Sequence, residues 1–341
     1  MKKRTRLFLV VTVGVLVFGL GTGLVASYGG FQNFTIIGGN GPAELAYIPG
    51  DAHMVAFAAV REVVSSELRQ NLRQFEPQGS TDAKNQFETE TGIDIERDVD
   101  QIMAAAWTST GPNSPPLMLA RGRFDEGRIE TLLREHGATV QDYKGKRLLV
   151  LPDSQHAAIS FVEPGLVIAG SPAAVQKAID TKQAGTGSVV DNAEVMKLVK
   201  DVDDGAAWAV AKFDSLATQQ LPREIAQQLP PINWFAASAH IDSGVRGLVR
   251  VDAKDEKSAQ DLRQVIQGVM ALARLQVGQK AEFAELINSL ELGGQGTTVS
   301  LGFSVPGSLI ETLGKTVQMK RGAPNQAVPD RKVLRDVVPS L

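Results

Sequence analysis

Thr139-Val-Gln-Asp-Tyr-Lys-Gly-Lys-Arg-Leu-Leu-Val-Leu151 and, just after it, His156-Ala-Ala-Ile-Ser-Phe-Val-Glu-Pro-Gly-Leu-Val-Ile-Ala169 decide the fold class. Each stretch is a pair of short strand-like runs around a turn, Lys144-Gly145-Lys146 in the first and Glu163-Pro164-Gly165 in the second. Short β-branched runs punctuated by Gly or Pro read as β-hairpins. On either side of them stand helices with their own start signals. Asp125 precedes a helix from Glu126 to His136, with Ile129, Leu132 and Leu133 inward and Gly137 closing it. Ser171 precedes a helix from Pro172 to Lys182, with Val175, Ala178 and Ile179 inward. An acidic or hydroxyl cap, proline in the first turn and glycine after the last are the expected boundaries. Hairpins with intervening helices predict an α+β protein with an antiparallel sheet.

The same reading extends toward the N-terminus. Met54 to Val60 is a strand after the turn Pro49-Gly50-Asp51, and Arg61 to Glu76 is a helix with Val64, Leu68, Leu72 and Phe75 at helical spacing. Ser80 to Thr91 is a weaker helix ended by Gly92, Asp98 to Met103 a helical turn, and Ala104 to Trp107 and Leu117 to Arg123 are strands.

Toward the C-terminus come a helix at Ala193 to Asp201, a strand at Ala206 to Phe213 and a helix at Ser215 to Leu229 broken at Pro222. Trp234 to Ile241 and Val245 to Val251 form a hairpin. Lys257 to Gln276 is the longest helix, with Ala259, Leu262, Ile266, Val269 and Ala273 on one stripe. Ala281 to Leu290 is another helix. A last hairpin turns at Gly293-Gly-Gln-Gly296 into Thr297 to Val305, and Gly307 to Lys315 is a short final helix.

The two halves run in the same order. Met54 to Val60 answers to Trp208 to Phe213. The strand, Asp125 and helix of the first half answer to Leu248 to Val251, Asp255 and the long helix of the second. The pattern reads as a duplicated unit or as two unrelated α+β domains.

Leu7 to Ala26 carries no charge. As a helix it would span about 30 Å, the thickness of a hydrocarbon core. Met1-Lys-Lys-Arg-Thr-Arg6 places four cations before it, so this end is expected to stay in the cytoplasm and the bulk of the chain to cross. The expected organisation is a cytoplasmic basic start at 1–6, a transmembrane helix at 7–26 and a tether at 27–44. An α+β unit at 45–185, a second at 186–317 and a loose C-terminal tail at 318–341 follow. That describes a single-pass protein of the cytoplasmic membrane with its body outside, on the periplasmic side. Cleavage near Val25-Ala26-Ser27 is the alternative.

The net charge of −3 gives no basic footprint for nucleic acid. The absence of cysteine excludes thiol catalysis and Cys-ligated metal. His53, His136, His156 and His240 are scattered, without ligand spacing.

Several motifs carry a resemblance: Thr91-Gly-Ile-Asp94 before an acidic turn, Pro115-Pro-Leu117 before a strand, Phe124-Asp125 before a helix, Tyr143-Lys-Gly-Lys146 in a hairpin, and Val167-Ile-Ala-Gly-Ser-Pro-Ala-Ala174 before a helix. The chain resembles, over about residues 45–182, a family of bacterial membrane-anchored proteins of unknown function with repeated α+β domains facing outward. The resemblance implies an extracytoplasmic body and carries over no active site.

Asp94-x-Glu96-x-Asp98-x-Asp100 has the two-residue spacing of a calcium loop, but Val99 and Ala105 stand where such a loop needs Gly and a bidentate Glu. Asp201-x-Asp203-Asp204-Gly205 reads as another acidic turn. Ser171 and Lys177 lack the spacing of an acyl-serine pair, so Ser171 reads as a helix cap. Gly293-Gly-Gln-Gly296 reads as a turn with no helix N-terminus to hold phosphate. Trp107, Trp208 and Trp234 read as core. No catalytic, cofactor-binding or metal-ligating residue and no cofactor is expected. The expected function is a non-enzymatic, membrane-anchored envelope protein that binds or scaffolds another envelope component. The alternatives are a carrier or sensor of an apolar small ligand held between sheet and helices, and a hydrolase whose site is assembled from distant residues.

Overall fold

Met54-Val-Ala-Phe-Ala58 alternates large and small apolar side chains, and as strand β1 it sits at the middle of the molecule with both lateral neighbours hydrogen-bonded. The computed structural model describes residues 42–72, 85, 88–89, 91–107, 116–152, 157–212, 230–277 and 281–312. The apolar run 7–26, the basic start, most of the tether, the tail, most of the expected helix at 80–91 and the expected helix at 215–229 lie outside them. Among the described residues no helix is long and apolar enough to cross a membrane.

In chain order β1 is followed by helices α1 (Val60–Ser65), α2 (Glu67–Leu72) and α3 (Ile95–Asp98), then β2 (Val99–Ala106) and β3 (Leu117–Gly122). Helix α4 (Glu126–Glu135) leads into a meander of β4 (Thr139–Tyr143), β5 (Lys146–Val150), β6 (Ala158–Glu163) and β7 (Leu166–Gly170). After α5 (Pro172–Ala184) and α6 (Ala193–Lys200) come β8 (Ala207–Lys212), β9 (Ile232–Ile241) and β10 (Val245–Ala253). Helices α7 (Glu256–Val277) and α8 (Ala281–Asn288) precede β11 (Glu291–Gly293) and β12 (Thr298–Val305).

All twelve strands lie in one sheet, in the order β11-β12-β10-β9-β8-β1-β2-β3-β7-β6-β5-β4, with every neighbouring pair antiparallel. The strands expected in two units therefore join in a single sheet, because the first strand of each stretch pairs with the other: Val55 faces Val210 and Phe57 faces Trp208. Outward from this seam the strand order is alike on both sides. Three strands run in sequence, an Asp-capped helix crosses, and a later strand returns beside the third.

Side-chain alternation gives the sheet two covered faces. Val55, Phe57, Met103, Ala105, Leu117 and Leu119 point into the largest apolar cluster, which also takes Val175 and Ile179 of α5, Val195 and Leu198 of α6, and Trp208 and Trp234. On the other face Ile102 and Ala120 meet Val60 and Val64 of α1. The Tyr143–Lys146 hairpin turns through Lys144 and Gly145, both at positive φ (50° and 75°), the geometry a two-residue turn requires.

Three expected elements differ. The helix expected from Arg61 is broken at Ser66, which is extended (φ −63°, ψ 150°), and Leu68 N–H donates to Asp242 O in the β9–β10 turn. The expected helical turn at 98–103 is strand: Asp94 caps one turn, α3, and from Val99 the backbone pairs with β3 instead. On α7 Ala259 and Leu262 are buried and Ile266 packs with them, but Val269 is 61 % exposed. Met270, one residue on, is buried in its place.

Candidate functional site

The acidic turns are structural. In the first, the Asp94 carboxylate accepts from the backbone N–H of Glu96 (2.9 Å) and Arg97 (3.3 Å). Glu96 pairs with the buried Arg69 of α2 at 2.7 Å, Asp98 with Arg97 at 2.8 Å, and Asp100 with Arg61 of α1. Arg97 holds the Asp98 carboxyl below its ordinary pKa, against the opposing effect of burial. These carboxylates fasten α1, α2 and α3 to the sheet. In the second turn Asp201 pairs with Arg250 of β10, and Asp204 lies 3.8 Å from His240 Nε2. Among the described residues no group of three or more His, Asp or Glu is placed to hold a metal.

The other residues singled out in the sequence are also spread across the fold. Ser171 caps α5, its Oγ accepting from Ala174 N–H at 3.2 Å. His136 ends α4 with its ring Nδ1 2.7 Å from Leu132 O. His53 lies at the start of β1, where its backbone bridges Ala106 and Lys212. His156 lies outside the described residues. Trp208 is buried and stacks on Phe57, ring centroids 5.6 Å apart. Trp234 is buried and donates its indole N–H to Glu194 at 2.6 Å. Trp107 is less a core residue than expected. Just beyond β2 it packs against the core edge, donates to Asp51 at 2.9 Å and carries Lys177 Nζ 5.5 Å from its ring centre.

One polar cluster reaches under the sheet's cover. Glu44, 4 % exposed, sits on the 3-10 turn Ala43–Tyr47 and pairs with Arg121 of β3. Arg121 also reaches Glu163 of β6 at 3.3 Å, Tyr47 Oη donates to Glu163 at 2.7 Å, and Lys182 Nζ stands 5.0 Å from the Tyr47 ring centre. Burial, reinforced by the Glu163 carboxylate, pushes the Tyr47 phenol above its ordinary pKa. The Tyr47 hydroxyl, and after it Arg121 and Lys182, hold the Glu163 carboxyl below its ordinary value against its burial. Each charge here has an opposite partner, so the cluster pins the entry of the chain rather than presenting a reactive group.

Between α7 and the β11–β12 turn lies a cavity of about 250 Å³. Arg263, Gln267, Met270 and Arg274 line it from the helix, Leu292, Gly293 and Gly294 from the strand and turn. Arg263 is fixed: its Nη2 donates to Gly296 O at 3.1 Å and Thr298 O at 2.7 Å. Gly294 has φ 95°, and a Cβ there would come within 2.3 Å of Thr298 O, so the turn holds only glycine at this point. Among the described residues the lining contains cations, an amide and apolar side chains, and no carboxylate, imidazole or hydroxyl. Such a surface can bind and orient a ligand. The sequence reading missed it because the apolar stripe of α7 drew attention from a second stripe, Arg263, Gln267, Met270 and Arg274 at i, i+4, i+7 and i+11, which shares a face.

Residues 9–271 match the model of a family described as "Protein of unknown function (DUF3352)". The chain belongs to that family. The DUF3352 match begins inside the apolar run and ends within α7, so it takes in Arg263, Gln267 and Met270 of the cavity lining but not Arg274 or the β11–β12 turn. No curated protein matches this DUF3352 chain. Among solved structures, "Structure of crystal form III of TP0453" is similar at TM-score 0.48 and 9 % identity, covering 80 % of this chain and 97 % of that one. "Structure of crystal form I of TP0453" is similar at TM-score 0.46 and 9 % identity, covering 82 % and 98 %.

Proposed function

We propose that this is a non-enzymatic, membrane-anchored protein of the cell envelope whose α+β body binds or scaffolds another envelope component. The observation that carries the reading is the lining of the α7–β11 groove. It offers guanidinium groups, an amide and apolar contacts, which recognise a partner, and, among the described residues, no nucleophile, acid or base to react with one. The location rests on the sequence. Leu7 to Ala26 is the proposed single-pass anchor, with 1–6 in the cytoplasm and the body outside it. The like strand order on the two sides of the β1–β8 seam supports a duplicated unit, with the boundary near residue 185.

A wholly apolar ligand fits the groove less well, because Arg263 and Arg274 would lose water without gaining a partner. The test places a photo-cross-linking amino acid at Gln267 of the full-length chain in the living cell, with Thr131 on α4 as the control position. An adduct with one defined envelope component from Gln267 and none from Thr131 is expected. Equal labelling from both positions, or recovery of the chain in the soluble fraction, would overturn the reading.

A further inference from the structure

We propose that the outer edge of β11, with the groove beside it, takes an extended acidic segment of a partner protein as an added strand. This rests on the binding reading above and names the partner's chemistry. β11 is the last strand of the sheet. Glu291, Leu292 and Gly293 pair with Gly302, Leu301 and Ser300 of β12 on one side, and among the described residues no strand pairs on the other. An open edge of this kind is a template for a further strand, and main-chain hydrogen bonds supply much of the affinity in such complexes.

The helix beside the edge sets the side chains that fit. From Arg263 to Arg274 is three helical turns, about 16 Å. An extended chain covers that length in about five residues. Arg263 is held in place by the two carbonyls it caps, and its remaining N–H groups have no partner among the described residues. Arg274 is exposed and makes no hydrogen bond or ion pair among the described residues. Among the described residues no acidic side chain lines the groove. Met270 lies between the two cations along the helix, and Leu292 adds an apolar side chain from the strand. The matching segment has a carboxylate at each end and an apolar side chain between them, all on one face of the strand, which is every second residue. Bidentate carboxylate pairing suits guanidinium groups in particular. Gly293 and Gly294 present backbone without side chains where the added strand would pass.

The experiment uses the full-length chain in detergent micelles and a fluorescein-labelled peptide with the core Glu-Thr-Val-Thr-Glu, read by fluorescence anisotropy. Saturable binding is expected. It should weaken about tenfold when both peptide Glu become Gln, and again when Arg274→Glu reverses the charge at one end. Of two further peptides, methylated at the amide nitrogen of the central Val or of the Thr after it, one should bind more weakly, because neighbouring N–H groups of a strand point to opposite edges and one of the two must meet β11. Arg274 is exposed, and circular dichroism of the variant confirms that the sheet is retained. Any of these outcomes overturns the proposal: no saturable binding, an Arg274→Glu variant that binds equally, indifference to both N-methylations, or competition by free glutarate as strong as by the unlabelled peptide. The last of them would assign the groove to small anions. Preferential binding of anionic phospholipid vesicles over the peptide would likewise sink it and assign a lipid surface. If Gln267 still cross-links a partner while the peptide fails, the scaffold reading stands and only the strand-addition reading falls.

Discussion

Arg121 shows how single residues hold this fold. Its guanidinium spans Glu44, which is buried, and Glu163, which is half-buried. Removing it leaves a buried carboxylate without its counter-charge. Arg121→Met is expected to cost about 2 kcal/mol, less than for a fully buried pair because part of Arg121 meets water. Urea unfolding of the two proteins measures this. The pH dependence follows from the depressed carboxyls. Glu163 has an ordinary value of 4.5 and lies lower in the fold, held there first by the Tyr47 hydroxyl. Asp98 and Asp180, held down chiefly by Arg97 and Lys144, lie below their ordinary 3.8. The unfolded chain takes up protons first, so these contributions are complete above the ordinary carboxylate values. They are lost as pH falls through the lower folded ones. The urea midpoint should be flat from about pH 7 to about pH 5 and then decline, with a shallower decline in Arg121→Met, where Glu163 has lost one of the groups that hold its carboxyl down. A midpoint that rises on acidification would contradict the assignment.

At the scale of elements, much was legible. The Lys144–Gly145 turn, the caps at Asp125 and Ser171 and the buried trio Val175, Ala178 and Ile179 stand where the sequence put them, because each is a local matter of backbone and period. Ser171→Ala should cost about 1 kcal/mol, measurable as a shift in thermal midpoint. Less local features were not legible. Ser66 breaks a helix whose apolar spacing runs on undisturbed, because α2 is drawn to the β9–β10 turn by the Leu68–Asp242 hydrogen bond. On α7 the spacing admits either Val269 or Met270 as the inward residue. The two lie about 100° apart around the axis, and only the position of the sheet chooses. The choice predicts a contrast: Leu262→Ala should cost about 2–5 kcal/mol, and Val269→Thr within about 0.5 kcal/mol. Equal losses would put Val269 back in the core. The groove was illegible for the same reason, since half its wall belongs to a hairpin about 20–30 residues downstream of the helix stripe.

At the scale of the molecule, the apolar pattern of a strand says which face is buried and nothing about its lateral neighbour, because every strand offers the same backbone donors and acceptors. The β1–β8 pairing was therefore invisible, and with it the single sheet. One apolar cluster runs through that sheet, from Leu148 and Ile168 to Trp208 and Trp234. The two halves should therefore unfold together. Leu148→Ala, at a fully buried position, is expected to lower amide-exchange protection in β9 and β10 as well as in β5 and β6. Protection unchanged in β9 and β10 would make the halves independent. The entry of the chain has a mechanical meaning. Directly after Pro42, Leu45 is fully buried, Glu44 is tied to β3 and Tyr47 to β6. Ile48 O then accepts from Val189 N–H, and Pro49 bridges to Ser188, on the stretch between α5 and α6. A tug arriving along the chain at Pro42 would therefore reach β3, β6 and the stretch between α5 and α6, all inside the strand order, before either edge strand feels it.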